Sequence, residues 1–275
     1  MNARPKQVVV AGGFDDLHSH DLRFLEEAAK LGEVSVLPWP DELVRRFTGQ
    51  PPRFPFVERR YLLNAVRYVS KVIPTRAATR PGELPDDLST HFDIWADRES
   101  PVGSERAKFC RERNLVYRVF VADELKGFPE PAPAPSRSGR KKVVVTGSYD
   151  WLHSGHVRFF EEVSAYGDLY VVVGHDANIQ VLKGKSHPLL PQAERRYMVG
   201  SIRYVWQVLI SSGHGWLDAD PEMQKLNPDI YAVNEEGDQG GKREYCRKNG
   251  IEYLVLRRAP APGLPSRSST DLRGY

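Results

Sequence analysis

Val143-Val144-Val145-Thr146-Gly147-Ser148-Tyr149-Asp150-Trp151-Leu152-His153-Ser154-Gly155-His156 sets a β-branched run against a glycine and two closely spaced histidines. The run from Val143 to Thr146, stopped by Gly147, reads as a strand buried on both faces. From His156 onward Val157, Phe160 and Val163 fall on one helical face, Glu161 and Glu162 lie outside it, and Gly167 ends the helix. A strand that turns into a helix in this way is where an α/β fold holds phosphates. The alternation continues downstream, with strands expected at 169–173, 205–210, 229–233 and 253–256 and helices at 193–204, 221–226 and 242–248. Such an order predicts an α/β, doubly wound, Rossmann-like domain with a parallel sheet, its ligand at the C-terminal strand ends.

The same text occurs twice. Val8-Val9-Val10-Ala11-Gly12-Gly13-Phe14-Asp15-Asp16-Leu17-His18-Ser19 matches Val143 to Ser154 at an offset of 135, and 14 of the 29 positions from Val8 to Val36 are identical to their counterparts. At an offset of 136, Glu58-Arg59-Arg60-Tyr61 matches Glu194-Arg195-Arg196-Tyr197, and Arg67-Tyr68-Val69 matches Arg203-Tyr204-Val205. Cys110 and Cys246 correspond as well and read as small buried core residues. The chain has 275 residues, about twice the usual length of one domain. Two tandem copies of one fold are therefore expected: 1–125, a Pro/Ala/Ser-rich linker at 126–140, and 141–275.

Composition excludes several classes. No apolar run approaches the roughly 18 residues of a spanning helix, and Met1-Asn2-Ala3-Arg4-Pro5-Lys6 does not open a secretory signal. Two cysteines build no disulfide framework, so a reducing cytoplasm is the expected location. Lys and Arg number 39 against 36 Asp and Glu, a net charge of +3, which suits phosphate-bearing small molecules rather than nucleic acid.

The His-x-Gly-His spacing brings His153 and His156 toward one point, with Gly155 leaving room between them. With helix amides and a nearby lysine they form an anion-stabilising cluster. Gly147 lets the backbone approach a ligand closely. Gly147-Ser148-Tyr149-Asp150 and His153-Ser154-Gly155-His156, followed by Arg158-Phe159-Phe160-Glu161-Glu162, resemble the signature of the cytidylyltransferases that activate phosphorylated alcohols. Lys183-Gly184-Lys185, Glu194-Arg195-Arg196, Ile202-Arg203-Tyr204-Val205 and Asn227-Pro228-Asp229-Ile230 follow in the family's order. The resemblance spans nearly all of 141–272 and, more weakly, 6–121. The tandem layout is similar to that of the phosphoethanolamine cytidylyltransferases. His-x-Gly-His alone is shared with class I aminoacyl-tRNA synthetases and adenylyltransferases, so the ordered set carries the resemblance.

That resemblance implies roles. His153 and His156 would contact the triphosphate, Lys183 and Lys185 the phosphates of nucleotide and acceptor, and Arg195 the neighbourhood of the substrates. Gly147, Ser148, Tyr149, Asp150 and Gly155 would line the nucleotide site. Ser269 and Thr270, opening a last helix, would bind phosphate. The implied substrates are CTP and a small phosphorylated alcohol, with pyrophosphate leaving and Mg²⁺ on its oxygens. ATP with a sugar or alcohol phosphate is the alternative, because Ser268-Ser269-Thr270-Asp271 also resembles adenylyltransferases; a non-catalytic nucleotide sensor is the other. Leu264-Pro265-Ser266-Arg267-Ser268 departs from the family's segment before Ser-Thr, so Arg257, Arg258 and Arg267 all compete for its arginine. Asn234-Glu235-Glu236-Gly237-Asp238 and Trp206 are further departures.

The first repeat reads His18-Ser19-His20-Asp21 where the second has His153-Ser154-Gly155-His156. Phe47-Thr48-Gly49 carries no lysine, and no Ser-Thr follows its last strand. It is expected to keep the fold and be catalytically silent. Related single-domain enzymes resemble dimers that touch through Arg-Tyr-Val, so a monomeric pseudo-dimer or a homodimer is expected, with no nucleic acid or membrane partner. His187 and His214 read as ordinary loop residues; His175 lies at a ligand-facing strand end.

Overall fold

The computed structural model describes residues 4–75, 80–86, 88–130, 139–269 and 272. The chain divides into two compact units at Gly127/Phe128. In the first, β1 (Gln7–Gly12), α1 (Ser19–Ala29), β2 (Glu33–Pro38), α2 (Asp41–Thr48), α3 (Phe56–Ala65), β3 (Lys71–Val72), β4 (Ile94–Arg98), α4 (Gly103–Glu112) and β5 (Val116–Phe120) follow one another. In the second the order is β6 (Lys142–Gly147), α5 (Ser154–Ser164), β7 (Asp168–Val173), α6 (Asp176–Lys183), α7 (Gln192–Gly200), β8 (Val205–Ile210), α8 (Asp220–Leu226), β9 (Ile230–Asn234), α9 (Lys242–Asn249) and β10 (Glu252–Leu256). Each unit holds a five-stranded sheet, β3-β2-β1-β4-β5 and β8-β7-β6-β9-β10. All strand pairings are parallel. The two α/β units thus share one Rossmann-like topology.

In both units the first strand lies at the centre, which explains its valines. Val8, Val9 and Val10, and Val143, Val144 and Val145, are wholly buried. Such β-branched residues pack on both faces of a covered parallel sheet. Strand order reverses direction at this central strand, so a crevice opens beyond its C-terminal end. Gly167 is required where α5 returns to β7, because a Cβ there would sit 2.2 Å from the Lys141 carbonyl oxygen; its counterpart Gly32 would meet the Lys6 oxygen at 2.1 Å. Cys110 and Cys246 lie in the two cores, and burial pushes each thiol up to about 11.

Two elements differ from expectation. Helix α6 has no counterpart in the expected list, because Val181 and Leu182 are 81% and 55% exposed and break the amphipathic pattern. Its ends are set locally: His175 Nδ1 accepts from Asn178 N, and Gly184 takes φ 94° after its last residue. His175 is therefore a helix cap. Helix α7 ends at Gly200 rather than at 204, and Ile202 to Val205 turn into β8 instead.

Candidate active site

The β6–α5 loop builds the centre of the crevice. Tyr149 takes φ 49°, a left-handed conformation that costs a bulky residue free energy. This turns its ring inward, 5.2 Å from those of His156 and Phe160. A Cβ on Gly147 would lie 2.9 Å from that ring, so Gly147 makes room for Tyr149. Phe14, at φ 47°, lies over Gly12 in the same way in the first unit.

Beyond the loop, His153 caps α5, its Nδ1 accepting from Gly155 N at 3.1 Å. An accepting Nδ1 places the ring proton on Nε2. Its ring stacks on His156 with centroids 4.0 Å apart. Burial, then the electrostatic influence of the adjoining His153 ring and the Arg258 guanidinium, holds His156 well below the ordinary histidine range, so the neutral imidazole prevails near neutrality. A Cβ on Gly155 would lie 3.0 Å from the His153 ring and 3.2 Å from the Arg267 carbonyl oxygen. The glycine therefore admits both the histidine pair and the C-terminal segment.

A cavity of about 530 Å³ opens over this pair. The sheet order sorts its lining into two sides of the central strand: Lys183 and His187 follow β7, with Ser148 and Asp150 from the β6–α5 loop, whereas Asn234 and Glu236 lie at the end of β9 and Arg258, Ser268 and Ser269 follow β10. Lys183 Nζ donates to Ser148 Oγ at 2.9 Å. Arg258 pairs with Glu236 and donates to the Arg267 carbonyl oxygen at 2.6 Å, fastening the C-terminal segment. Among the described residues Phe159 is the one apolar side chain lining this cavity. The arrangement suits a polyphosphate: imidazoles, cations, hydroxyls and a helix N-terminus converge on one space.

The unit that holds this cavity is similar to known proteins. Residues 144–273 match the cytidylyltransferase-like family model. An FAD synthase of Ferroglobus placidus is 36% identical over 120 residues, 42% of this chain and 75% of that protein. The chain belongs to the cytidylyltransferase-like family. An FAD synthase of Methanocella paludicola is 31% identical over 135 residues, 48% of this chain and 93% of its own length. The bifunctional protein HldE of Campylobacter concisus is 33% identical over 137 residues, 47% of this chain and 28% of that protein. As a family member the chain is a nucleotidyltransferase-type enzyme, with the His-x-Gly-His motif read from its sequence. No described helix is long and apolar enough to cross a membrane.

Within this family frame the structure sorts the expected site residues. His153, His156, Gly155, Ser148, Asp150, Lys183 and Ser269 border one cavity, whereas Gly147 and Tyr149 lie beneath it. Lys185 is exposed outside the lining, and Thr270 falls outside the described residues. Arg195 is fully buried below the cavity floor. It donates to the carbonyl oxygens of Leu190 (2.9 Å), Ser148 (2.6 Å) and Gly174 (2.8 Å) and to Asp176 (2.6 Å), tying three loops together. Arg59 makes the same set with Phe54, Gly13, Trp39 and Asp41. A brace kept whole in the repeat that lost its histidine pair belongs to the fold. Of the three competing arginines, Arg258 alone lines the main cavity; Arg257 and Arg267 border a smaller adjoining one with Arg158. His187, read from sequence as a surface residue, and Glu236 also line the cavity.

In the first unit Asp21 stands at the position of His156 and Arg98 at that of Asn234. They form an ion pair at 2.9 Å, and Asp16 approaches His18 at 3.6 Å. The first unit thus sets a carboxylate of its own against the basic residue at this place.

Proposed function

We propose that residues 141–275 transfer a nucleotidyl group from a nucleoside triphosphate to the phosphate of a small polar acceptor, releasing pyrophosphate. The observation that carries this reading is the stacked His153–His156 pair at the N-terminus of α5, with Lys183 and Arg258 lining the cavity above it from opposite sides of the central strand. An acceptor phosphate oxygen attacks the α-phosphorus. The bond from that phosphorus to the bridging oxygen breaks, and its electron pair leaves with pyrophosphate. The nucleophile is already anionic, so the protein positions the partners and offsets charge. The histidine pair and the α5 amides face the transferring group, and Arg258, Ser268 and Ser269 hold the leaving phosphates. Arg195 acts from below by fixing the Ser148 and Gly174 carbonyls.

Mg²⁺ would enter with the nucleotide substrate and would offset charge on its phosphates. Among the described residues no group of three or more His, Cys, Asp or Glu is placed to hold a metal ion.

The relatives named FAD synthase favour ATP, since their product contains an adenylyl group. The family model and the tandem repeat favour CTP, the second reading. Apart from Phe159 and Gly155, the described lining residues carry hydrogen-bonding side chains, which suits a phosphorylated alcohol or sugar as acceptor. Pyrophosphate release from each of ATP, CTP, GTP and UTP, against phosphorylated alcohols, sugars and flavin mononucleotide, tests the reading. Release with one nucleotide and a small phosphate ester is expected; no release with any pair would overturn it.

A further inference from the structure

The sequence places a second phosphate-seeking cation at Lys185, and the structure puts a different residue on the cavity wall. His187 N donates to the Gly184 carbonyl oxygen at 3.1 Å, closing a turn that opens with Gly184 at φ 94°. This turn leaves Lys185 exposed and brings His187 to the cavity, Nδ1 3.7 Å from Asp150 Oδ2.

The two repeats handle this aspartate differently. In the first unit Asp15 gives one oxygen to each of two loop amides, Oδ2 to Arg53 N (2.7 Å) and Oδ1 to Phe54 N (2.9 Å). In the second, Asp150 accepts both corresponding amides on Oδ1, Leu189 N at 2.7 Å and Leu190 N at 3.0 Å, and turns Oδ2 to His187. The first repeat has Pro51 where the second has His187. In the unit that keeps the histidine pair the carboxylate thus pins the loop through one oxygen and leaves the other facing the His187 imidazole at the cavity.

We propose that His187, set beside Asp150 on the cavity wall, is a substrate-binding residue that holds the acceptor's phosphate in the place the sequence gives to Lys185. This rests on the nucleotidyl-transfer reading. In-line displacement needs nucleophile and leaving group on opposite sides of the α-phosphorus. Arg258, Ser268 and Ser269 lie on one side of the central strand, with the leaving phosphates. His187 shares the other with Lys183 and Ser148, where the acceptor phosphate enters. An imidazole N–H to a phosphate oxygen is a charge-assisted hydrogen bond that fixes position.

Steady-state kinetics on the full chain test this. His187→Ala is expected to raise the acceptor KM about tenfold or more, with the nucleotide KM and kcat within threefold. His187→Arg should restore most of the loss, and Lys185→Ala should change the acceptor KM less than twofold. An unchanged acceptor KM in His187→Ala, or a rise confined to the nucleotide KM, would overturn the assignment. A second measurement needs no turnover: inorganic phosphate titrated into the full chain, followed by the imidazole NMR signal that His187→Asn removes. A saturable shift supports the proposal, and no shift refutes it even if wild-type pyrophosphate release fails and sinks the parent reading.

Discussion

Replacing Arg195 by alanine separates a brace from a catalytic group. The change removes a fully buried guanidinium and leaves the Leu190, Ser148 and Gly174 carbonyls and the Asp176 carboxylate without that partner. Breaking a buried pair from one side costs about 3–5 kcal/mol. Asp176 is 34% exposed and regains water, so the low end, about 3 kcal/mol, applies. For a unit of this size that corresponds to a melting shift of roughly 10 °C. Because the chain has two units, one global transition does not report both, so hydrogen-exchange mass spectrometry is the assay, with calorimetry beside it. Arg195→Ala should lose protection in the second unit only. Arg59→Ala should lose a similar amount in the first unit only and leave turnover intact. An Arg195→Ala protein with unchanged exchange and abolished kcat would refute the brace and put the guanidinium on substrate. A large effect at Arg195 with none at Arg59 would refute the shared role.

Other perturbations have equally definite outcomes. His156→Ala should lower kcat about 10²–10³-fold by removing a preorganised donor at the transferring group, checked by pyrophosphate release. His156 titrates lower folded than unfolded, where its value is about 6.5. The unfolded state therefore binds more protons below that pH, and this contribution to stability is full above about 6.5 and lost as pH falls beneath it. Urea unfolding of wild type against His156→Asn at pH 8 and 5.5, followed on peptides of the second unit by hydrogen-exchange mass spectrometry, should show the wild type losing up to about 1.4 kcal/mol more. Gly155→Ala should push the Arg267 carbonyl away, raise the nucleotide KM about tenfold and speed exchange across 264–269, because its Cβ would lie 3.2 Å from that oxygen.

What the sequence made legible follows from how local each signal is. The valine runs and the Gly-to-His loop are contiguous, so strand, turn, helix and duplication could be read directly. Helix α6 was not legible because its exposed Val181 and Leu182 oppose the amphipathic pattern, and its stop signal, Gly184, sits inside a lysine motif. Lys185 and His187 exchanged places in the reading because a tight turn, invisible to spacing, decides which of them meets the cavity. Arg195 drew a catalytic role from its motif, while its long-range carbonyl partners, up to 47 positions away, show a brace. The choice among Arg257, Arg258 and Arg267 likewise needed the C-terminal segment folded onto Gly155.

The central claim is that the second unit alone performs nucleotidyl transfer, and it is tested most directly by pyrophosphate release from full-length His153→Ala and His18→Ala with the best nucleotide and acceptor pair. Loss of release in His153→Ala with release retained in His18→Ala is the expected result; retention in the first and loss in the second would contradict it.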